Sequence, residues 1–225
     1  MFVDDLARHH RVVVFDNAGV GQTQALATPL TIGAMADQSS ALIDMLGLGR
    51  PDVLGWSMGG MIAQALAVRH PGQVRRLVLA ATQAGTGRAT PPPTAAGHAL
   101  VSGSPTAALA TLFPPDQTAA ERIYVAGILH YPARATVSRA TKIEQSGAIE
   151  GWLTGADPAG REVARAVAPA LVADGTVDAL DPVANDHQLA GLLRRAQLVL
   201  YPDAGHAFLF QDAATFVPRV DSFLG

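Results

Sequence analysis

The sequence contains no cysteine among its 225 residues, and this absence removes several kinds of chemistry. Disulfide bonds, cysteine-ligated zinc sites and thiol nucleophiles are all excluded. Lysine is almost absent as well, since Lys142 is the only one and the other basic residues are arginine. Together with the many alanines, this bias indicates a GC-rich bacterial genome and carries no information about function.

The chain also lacks a basic surface and a long apolar segment. Its formal net charge is -3, and only 16% of its residues are charged. Such a balance gives no basis for binding nucleic acid or an acidic membrane. The sequence has no apolar run long enough to span a bilayer and no signal-peptide pattern. We therefore expect a cytoplasmic protein that acts on a small molecule, and homo-oligomerisation stays open.

Apolar residues are plentiful, at 49% of the sequence, which suits one globular domain with a hydrophobic core. Continuous β-branched runs predict buried strands at 11–15, 51–54, 76–81, 170–173 and 197–201. Apolar residues at three-to-four spacing predict helices at 2–9, 31–46, 58–70, 187–194 and 213–223. This alternation predicts an α/β protein with a mostly parallel sheet flanked by helices.

The stretch VLGWSMGGM, from Val53 to Met61, carries the clearest chemical signal. An apolar run ends in Gly55-x-Ser57-x-Gly59, and a helix-like segment of small residues follows. A strand, a sharp turn and a helix in this order form a nucleophile elbow, which exposes a serine hydroxyl at the end of a sheet strand. We expect both glycines to prevent collisions with the neighbouring strand and helix. The alternative is a glycine-rich turn without chemistry.

The region from 87 to 168 has a different pattern. Three prolines at 91–93 stop any regular element, and helices are then predicted near 94–102, 105–112, 117–130 and 135–151. We interpret 87–168 as a helical cap inserted into a core formed by 1–86 and 169–225. Candidate residues for lining an apolar substrate pocket are Trp56, Phe113, Ile128, Leu129, Trp152 and Ala207, with Leu112, Ile123 and Tyr131 as further candidates. Ordinary core packing is the alternative for the cap residues.

A serine nucleophile needs a base and a carboxylate that orients this base. Ser57, Asp178 and His206 each follow a predicted strand, and carboxyl ends of parallel strands meet at one edge of a sheet. We therefore predict that these three residues form a catalytic triad. Asp181, which precedes Pro182, is the alternative acid.

Two stretches, GWSMGGMIAQALAVRHP and YPDAGHAFLFQD, resemble the elbow and the histidine loop of the α/β-hydrolase family. The segment Asp16–Thr23 is similar to the loop after the family's fourth strand, and Gly175-x-x-Asp178 matches its acid loop. The resemblance implies a serine hydrolase with a helical cap and with neither cofactor nor metal. Members of the family include esterases, lactonases, carbon–carbon bond hydrolases and haloperoxidase-like enzymes, and the sequence does not distinguish among them.

The sequence departs from the family in its oxyanion hole. The N–H of Met58 is one expected donor, but the loop that carries the second, often His-Gly-x-x-Gly, is missing. Relative to the family, the first three strands are missing as well. In the family's sheet the third strand lies between the fourth and the fifth, so its loss would leave a gap in the middle of the sheet. We expect either that 11–15 pairs directly with 53–55 in a five-stranded sheet, or that the gap stays open. The alternative function is a non-catalytic small-ligand-binding protein or a truncated remnant.

Overall fold

The fold is built on a four-stranded parallel sheet with the strand order β1-β2-β3-β4. We describe it from a computed structural model, in which residues 2–102, 104–130 and 137–225 are described. Each strand coincides with a predicted apolar run, and the α/β class is confirmed. The strands are β1 (Val53–Trp56), β2 (Leu77–Ala80), β3 (Ala170–Gly175) and β4 (Ala196–Tyr201).

The register brings the carboxyl ends of all four strands to one edge. Leu77 pairs with Val53 on one side and with Ala170 on the other, and Ala170 pairs with Ala196. The four strands therefore start level with one another. Because the strands are parallel and short, their carboxyl ends lie close together as well. The loops that follow the strands therefore meet at this carboxyl end of the sheet.

Helices flank this sheet, and their positions agree with the predicted periodicity. Thr31 caps the second helix as expected, since its hydroxyl oxygen accepts a hydrogen bond from the N–H of Ala34 at 3.0 Å. The flanking helices are α1 (Phe2–Leu6), α2 (Ile32–Met45), α3 (Met58–Arg69), α9 (Ala184–Leu192), α10 (Phe208–Gln211) and α11 (Ala213–Leu224).

Five further helices lie between β2 and β3 in the chain. The four helices predicted here all form, although the start of the predicted helix 135–151 falls at 135–136, outside the described residues. Their bounds are α4 (Thr94–Val101), α5 (Pro105–Leu112), α6 (Thr118–His130), α7 (Arg139–Leu153) and α8 (Pro158–Arg161). None of the helices in the described ranges is long and apolar enough to cross a bilayer.

The sheet is covered by a hydrophobic cluster on each face. The first cluster joins α2, α3 and α7 to the sheet, and it contains Ile32, Leu66 and Trp152. The second joins α1 and α11 to the other face, where the rings of Phe2, Phe208 and Phe216 pack together. These two layers hold the strands and fix the positions of the loops at the carboxyl edge.

One predicted strand does not form. Residues 11–17 adopt neither helix nor strand, and no backbone hydrogen bond joins 11–16 to any described residue. Val13, Val14 and Phe15 are 40%, 71% and 45% exposed. The prediction of a strand at 11–15 was wrong because a β-branched run becomes a strand only where another strand pairs with it.

The space between this segment and β1 is a groove of about 570 Å³. Among the described residues, β1 pairs only with β2, so its outer edge has no strand partner there. The groove is lined mostly by apolar residues, among them Val13, Phe15, Leu42, Val53, Leu54 and Ile62, and also by the polar residues Arg11, Asn17, Ser39 and Asp52. The expected five-stranded alternative is therefore wrong, and the gap beside β1 stays open.

Candidate active site

Ser57 stands in a strained turn between β1 and α3. Its φ is 55° and its ψ is −123°, which is unusual for a residue with a side chain. The Ser57 N–H donates a hydrogen bond to Ala80 O at 2.9 Å, so that the turn is tied to the neighbouring strand β2. Strain of this kind persists only where the surroundings enforce it, and it is characteristic of a nucleophile elbow.

Three glycines surround this turn, and they have different roles. A Cβ on Gly55 would lie 2.1 Å from Gly59 O, and one on Gly60 would lie 2.4 Å from Thr82 Cγ2. A Cβ on Gly59 would meet nothing within 4 Å. The predicted collision is therefore confirmed for Gly55 and wrong for Gly59. Gly60, which the sequence pattern did not single out, provides the close contact between α3 and the loop after β2.

Asp178 and His206 are directly hydrogen-bonded in the loops after β3 and β4. Asp178 Oδ2 lies 2.7 Å from His206 Nδ1, and the two side chains are 0% and 5% exposed. The other Asp178 oxygen accepts hydrogen bonds from the N–H groups of Leu180 at 2.6 Å and Asp181 at 2.9 Å. The alternative acid, Asp181, accepts instead from the Asn185 amide at 2.7 Å. The geometry therefore selects Asp178 as the partner of the histidine.

The loops that carry these two residues are packed closely together. A Cβ on Gly175 would lie 2.1 Å from Ala204 O, so glycine is required where the acid loop passes the histidine loop. The Ala207 N–H donates to Leu112 O at 2.9 Å, and this bond ties the end of α5 to the histidine loop. Ala207, a predicted pocket residue, is fully buried.

Trp56 places His206 beside the elbow. Its indole N–H donates to His206 O at 2.9 Å, and the indole and imidazole ring centroids are 5.6 Å apart. Because Trp56 precedes Ser57 directly, the imidazole is held next to the serine turn. The Ser57 hydroxyl makes no hydrogen bond with His206 in this structure. The structure thus joins Asp178 to His206 directly and brings Ser57 only into their neighbourhood.

Aromatic rings extend from His206 toward α5 and α6. Phe210 lies 5.4 Å from Trp56 and 4.8 Å from Tyr124, and Tyr124 lies 5.4 Å from Phe113, measured between ring centroids. Sequence analysis had selected Trp56 and Phe113 but not the two rings between them. Phe210 lies four residues after His206 in the chain. This short spacing was the feature of the sequence that could have identified Phe210 as a residue near the site.

One predicted pocket residue lies elsewhere. Trp152 is fully buried in the first hydrophobic cluster and donates its indole N–H to Gln83 O at 3.0 Å, so it is a core residue. Its assignment was wrong because an apolar residue on a helix predicts burial without specifying what it packs against. Ile128 and Leu129 are 44% and 57% exposed on α6, and their role in a pocket stays a prediction. Tyr131 lies outside the described residues.

The N-terminus of α3 points its free backbone groups at the space beside Ser57. Met58 is the first residue of this 12-residue helix, and its N–H has no intrahelical acceptor. The positive end of the helix dipole also favours negative charge at this place. The arrangement can stabilise one developing oxyanion through the Met58 N–H.

A cluster of buried carboxyl groups lies behind the acid loop. Asp174, Asp181 and Asp186 are at most 2% exposed, and one oxygen of each lies within 4.8 Å of the others. Burial, and then the charge of Asp178, raises the pKa of Asp174 to about 12. Burial also raises the pKa of Asp181 to about 7 and that of Asp186 to about 8.

These carboxyl groups are the described residues whose spacing could suit a metal ion. Their raised pKa values favour neutral, protonated acids near neutral pH rather than anionic ligands. Protonated acids can hydrogen-bond to one another, which satisfies oxygens that otherwise have no partner. In the absence of a cation, the cluster is therefore described as carboxyl groups that share protons through hydrogen bonds.

The comparisons with known proteins identify the fold as that of the α/β-hydrolases. A family model described as alpha/beta hydrolase fold matches residues 2–105. A poly(3-hydroxyalkanoate) depolymerase from Ectopseudomonas oleovorans is 30% identical over 99% of this chain and 78% of its own length. The chain therefore belongs to the α/β-hydrolase fold family. Its curated relatives include named hydrolases, among them a 2-hydroxymuconate semialdehyde hydrolase from Pseudomonas sp. that is 29% identical over 80% of its own length.

Two solved structures extend the comparison. An enol-lactonase from Burkholderia xenovorans LB400 is 28% identical, with a TM-score of 0.75 over 99% of this chain and 84% of that one. An alpha/beta hydrolase fold protein from Chitinophaga pinensis is 24% identical, with a TM-score of 0.81 over 99% of this chain and 82% of that one. The second likeness concerns the fold alone.

Proposed function

We propose that this protein is a serine hydrolase that cleaves an ester, a lactone or a related carbonyl substrate through an acyl-enzyme. Ser57 is the nucleophile, His206 is the general base and acid, and Asp178 orients the histidine. The proposal needs no cofactor and no metal ion. The observation that carries it is the buried 2.7 Å contact between Asp178 and His206 beside a serine whose φ is 55°.

The proton transfers follow from this arrangement. Asp178 accepts a hydrogen bond from the Nδ1–H of His206, which leaves Nε2 as the base that removes the Ser57 hydroxyl proton. The Ser57 Oγ attacks the substrate carbonyl carbon, and His206 then protonates the leaving alcohol. Water hydrolyses the acyl-enzyme by the same transfers in reverse. The missing hydrogen bond between Ser57 and His206 is compatible with this role, since such bonds often tighten only when substrate binds.

The Met58 N–H is the proposed donor to the oxyanion of the tetrahedral intermediate. It lies at the N-terminus of α3, directly after Ser57. A hydrolase of this fold takes its second donor from a loop after another strand, and no such loop was found in the sequence. Loss of one oxyanion donor typically lowers turnover by about 100- to 1,000-fold. A protein that supplies only the Met58 donor is therefore expected to hydrolyse esters slowly.

The substrate is proposed to be small and apolar near its carbonyl group. Trp56, Phe210 and Tyr124 form the aromatic surface next to His206. One of the solved structures that resemble this chain is an enol-lactonase. Its named activity supports a substrate that is attacked at the carbonyl carbon of an ester or lactone group. Region 87–168 is proposed as a cap, because α5 bonds the histidine loop and α6 packs on Phe210. A cytoplasmic location is part of the same proposal.

The nucleophile can be tested with a fluorophosphonate probe and a p-nitrophenyl ester. The wild-type protein should react with the probe, and Ser57→Ala should abolish both labelling and hydrolysis. Ser146→Ala is the matched control, because this exposed serine on α7 bonds only Lys142 O. It should label like the wild type. Labelling that survives Ser57→Ala would refute the assignment.

A second function is favoured by the single oxyanion donor. The chain would then bind a small apolar ligand without cleaving it. A wild-type protein that is folded, binds a p-nitrophenyl ester and neither labels nor turns it over would support this function over hydrolysis.

A further inference from the structure

Asn185 is a buried polar residue on α9 that the proposed reaction does not use. It is 1% exposed, and its side chain forms hydrogen bonds with three other residues. Its Oδ1 accepts a hydrogen bond from the Thr90 N–H at 2.7 Å. Its Nδ2 lies 2.7 Å from Gln83 Oε1, 2.7 Å from Asp181 Oδ1 and 2.9 Å from Thr90 O. Since the amide has two N–H groups, two of these three acceptors are satisfied at a time.

These contacts reach two segments, and no side-chain hydrogen bond joins those two segments directly among the described residues. Gln83 and Thr90 lie in the loop 81–93, which leads from β2 into the helices α4 to α7. Asp181 lies in the acid loop after β3. Asn185 therefore joins the entrance of the helical region to the loop that carries the acid.

The contact with Asp181 continues to the catalytic histidine. The Asp181 N–H donates to Asp178 Oδ1 at 2.9 Å, and Asp178 Oδ2 lies 2.7 Å from His206 Nδ1. A displacement of the Asp181 side chain therefore moves a backbone group that holds the Asp178 carboxylate. Asparagine suits this position because it offers a donor to the acid loop and an acceptor to the Thr90 N–H in one short side chain.

We propose that Asn185 is a positioning residue, which holds the Asp178 carboxylate in line with His206 by joining the acid loop to the loop 81–93. This inference rests on the proposed triad. It predicts that the geometry of the Asp178–His206 hydrogen bond, and with it the chemical step, depends on Asn185. Substrate binding on the aromatic surface does not depend on it.

The test uses two substitutions and one matched control. Asn185→Asp keeps the shape and the acceptor but removes both donors, and Asn185→Ala removes all contacts. Gln188→Ala is the control, because Gln188 lies on the same helix and bonds Arg88 O at 3.3 Å without contacting the acid loop. Each variant is measured for thermal unfolding, for kcat and KM with a p-nitrophenyl ester, and by proton NMR of the histidine ring N–H.

We expect both Asn185 variants to lower kcat by about 10- to 100-fold with KM changed less than twofold, because small misalignments of reacting groups reduce turnover by this amount. The downfield N–H resonance of His206 should weaken or disappear in both. Gln188→Ala should leave kcat and the resonance unchanged. The two other histidine–aspartate contacts, His10–Asp221 and His70–Asp37, are partly exposed and serve as internal references.

Three results would overturn the proposal. The first is that folded Asn185 variants keep both the His206 resonance and the wild-type kcat. The second is that Gln188→Ala lowers kcat as much as the Asn185 variants do. The third is that neither Asn185 variant folds. If the wild-type protein hydrolyses no ester, the proposed function fails. The His206 resonance still reports on the Asp178–His206 bond, so the role of Asn185 is decided separately.

Discussion

Two apolar segments that were both predicted to be strands have opposite fates in this molecule. The segment at 170–173 becomes the buried strand β3, paired on both sides, whereas the segment at 11–15 forms no strand and exposes three of its apolar side chains. The difference is the presence of neighbours. A strand in the interior of a sheet needs hydrogen-bond partners on both sides. Of these two segments, only the one that forms β3 has them. Apolar, β-branched sequence is thus a necessary condition for a strand and not a sufficient one.

The same contrast extends to the functional site. The side of the sheet formed by β3 and β4 holds a buried, directly bonded pair, Asp178 and His206. The β1 side holds Ser57 and the Met58 N–H next to an open groove. The acid therefore follows an interior strand, β3, whereas the nucleophile and the base follow the two edge strands, β1 and β4.

The largest expected effect concerns the acid, Asp178. Asp178→Asn should lower kcat by about 10⁴-fold, because the amide favours the wrong tautomer of His206. The kcat of ester hydrolysis measures this effect. Asp203→Asn is the control, because Asp203 is an exposed residue of the histidine loop, and it should change kcat less than twofold. A mild effect of Asp178→Asn beside a severe effect of Asp181→Asn would show that the acid is Asp181.

A second prediction compares the two apolar segments directly. Leu171→Ala should lower the free energy of unfolding by about 2–5 kcal/mol, because it removes a fully buried side chain from β3. Val14→Ala should change it by less than about 0.5 kcal/mol, since Val14 is 71% exposed. Urea unfolding of both variants measures this. Equal losses would mean that the segment at 11–15 is buried in solution and that the groove is closed.

A third prediction concerns pH and the buried carboxyl groups. Asp181 and Asp186 have folded-state pKa values raised to about 7 and 8, so the folded protein binds more protons than the unfolded chain above pH 4. The free energy of unfolding should therefore fall as pH rises from about 4 to 8, with a slope of up to about 1.4 kcal/mol per pH unit for each group.

Urea unfolding at several pH values tests this slope, and Asp186→Asn should make it shallower. Asp37 provides a contrast, because its hydrogen bond with Arg69 lowers the pKa of this carboxyl group. Asp37→Asn should therefore remove a contribution that is lost as pH falls below 4. A stability that rises between pH 4 and 8 in the wild-type protein would contradict the raised pKa values.

The smallest expected effect concerns the elbow on the β1 side. Gly59→Ala should stabilise the protein by no more than about 1 kcal/mol, because the added methyl group meets nothing within 4 Å and alanine favours a helix. Gly60→Ala should destabilise it, because the Cβ would lie 2.4 Å from Thr82 Cγ2. Thermal unfolding compares the two. A destabilising Gly59→Ala would show that the elbow is tighter than the structure indicates.

Much of the site was predictable because its signals are local. The turn at Ser57 needs glycine at Gly55, and the acid loop needs Gly175 where the histidine loop passes, so both left a short pattern in the sequence. The choice of Asp178 over Asp181 came from the same pattern. The bond between Ala207 and Leu112, the ring of Phe210 and the contacts of Asn185 had no such signal, because each joins segments that are distant in the chain.

The sequence by itself determined the α/β class, the boundaries of most helices, the elbow and the acid and histidine loops. These features depend on residue periodicity, on capping side chains and on backbone conformations that glycine permits. The tertiary structure alone decided that 11–15 stays unpaired, that Trp152 is core and that Asn185 joins two segments. The physical reason is that pairing and burial depend on which surfaces meet, and one segment's periodicity does not encode its partner.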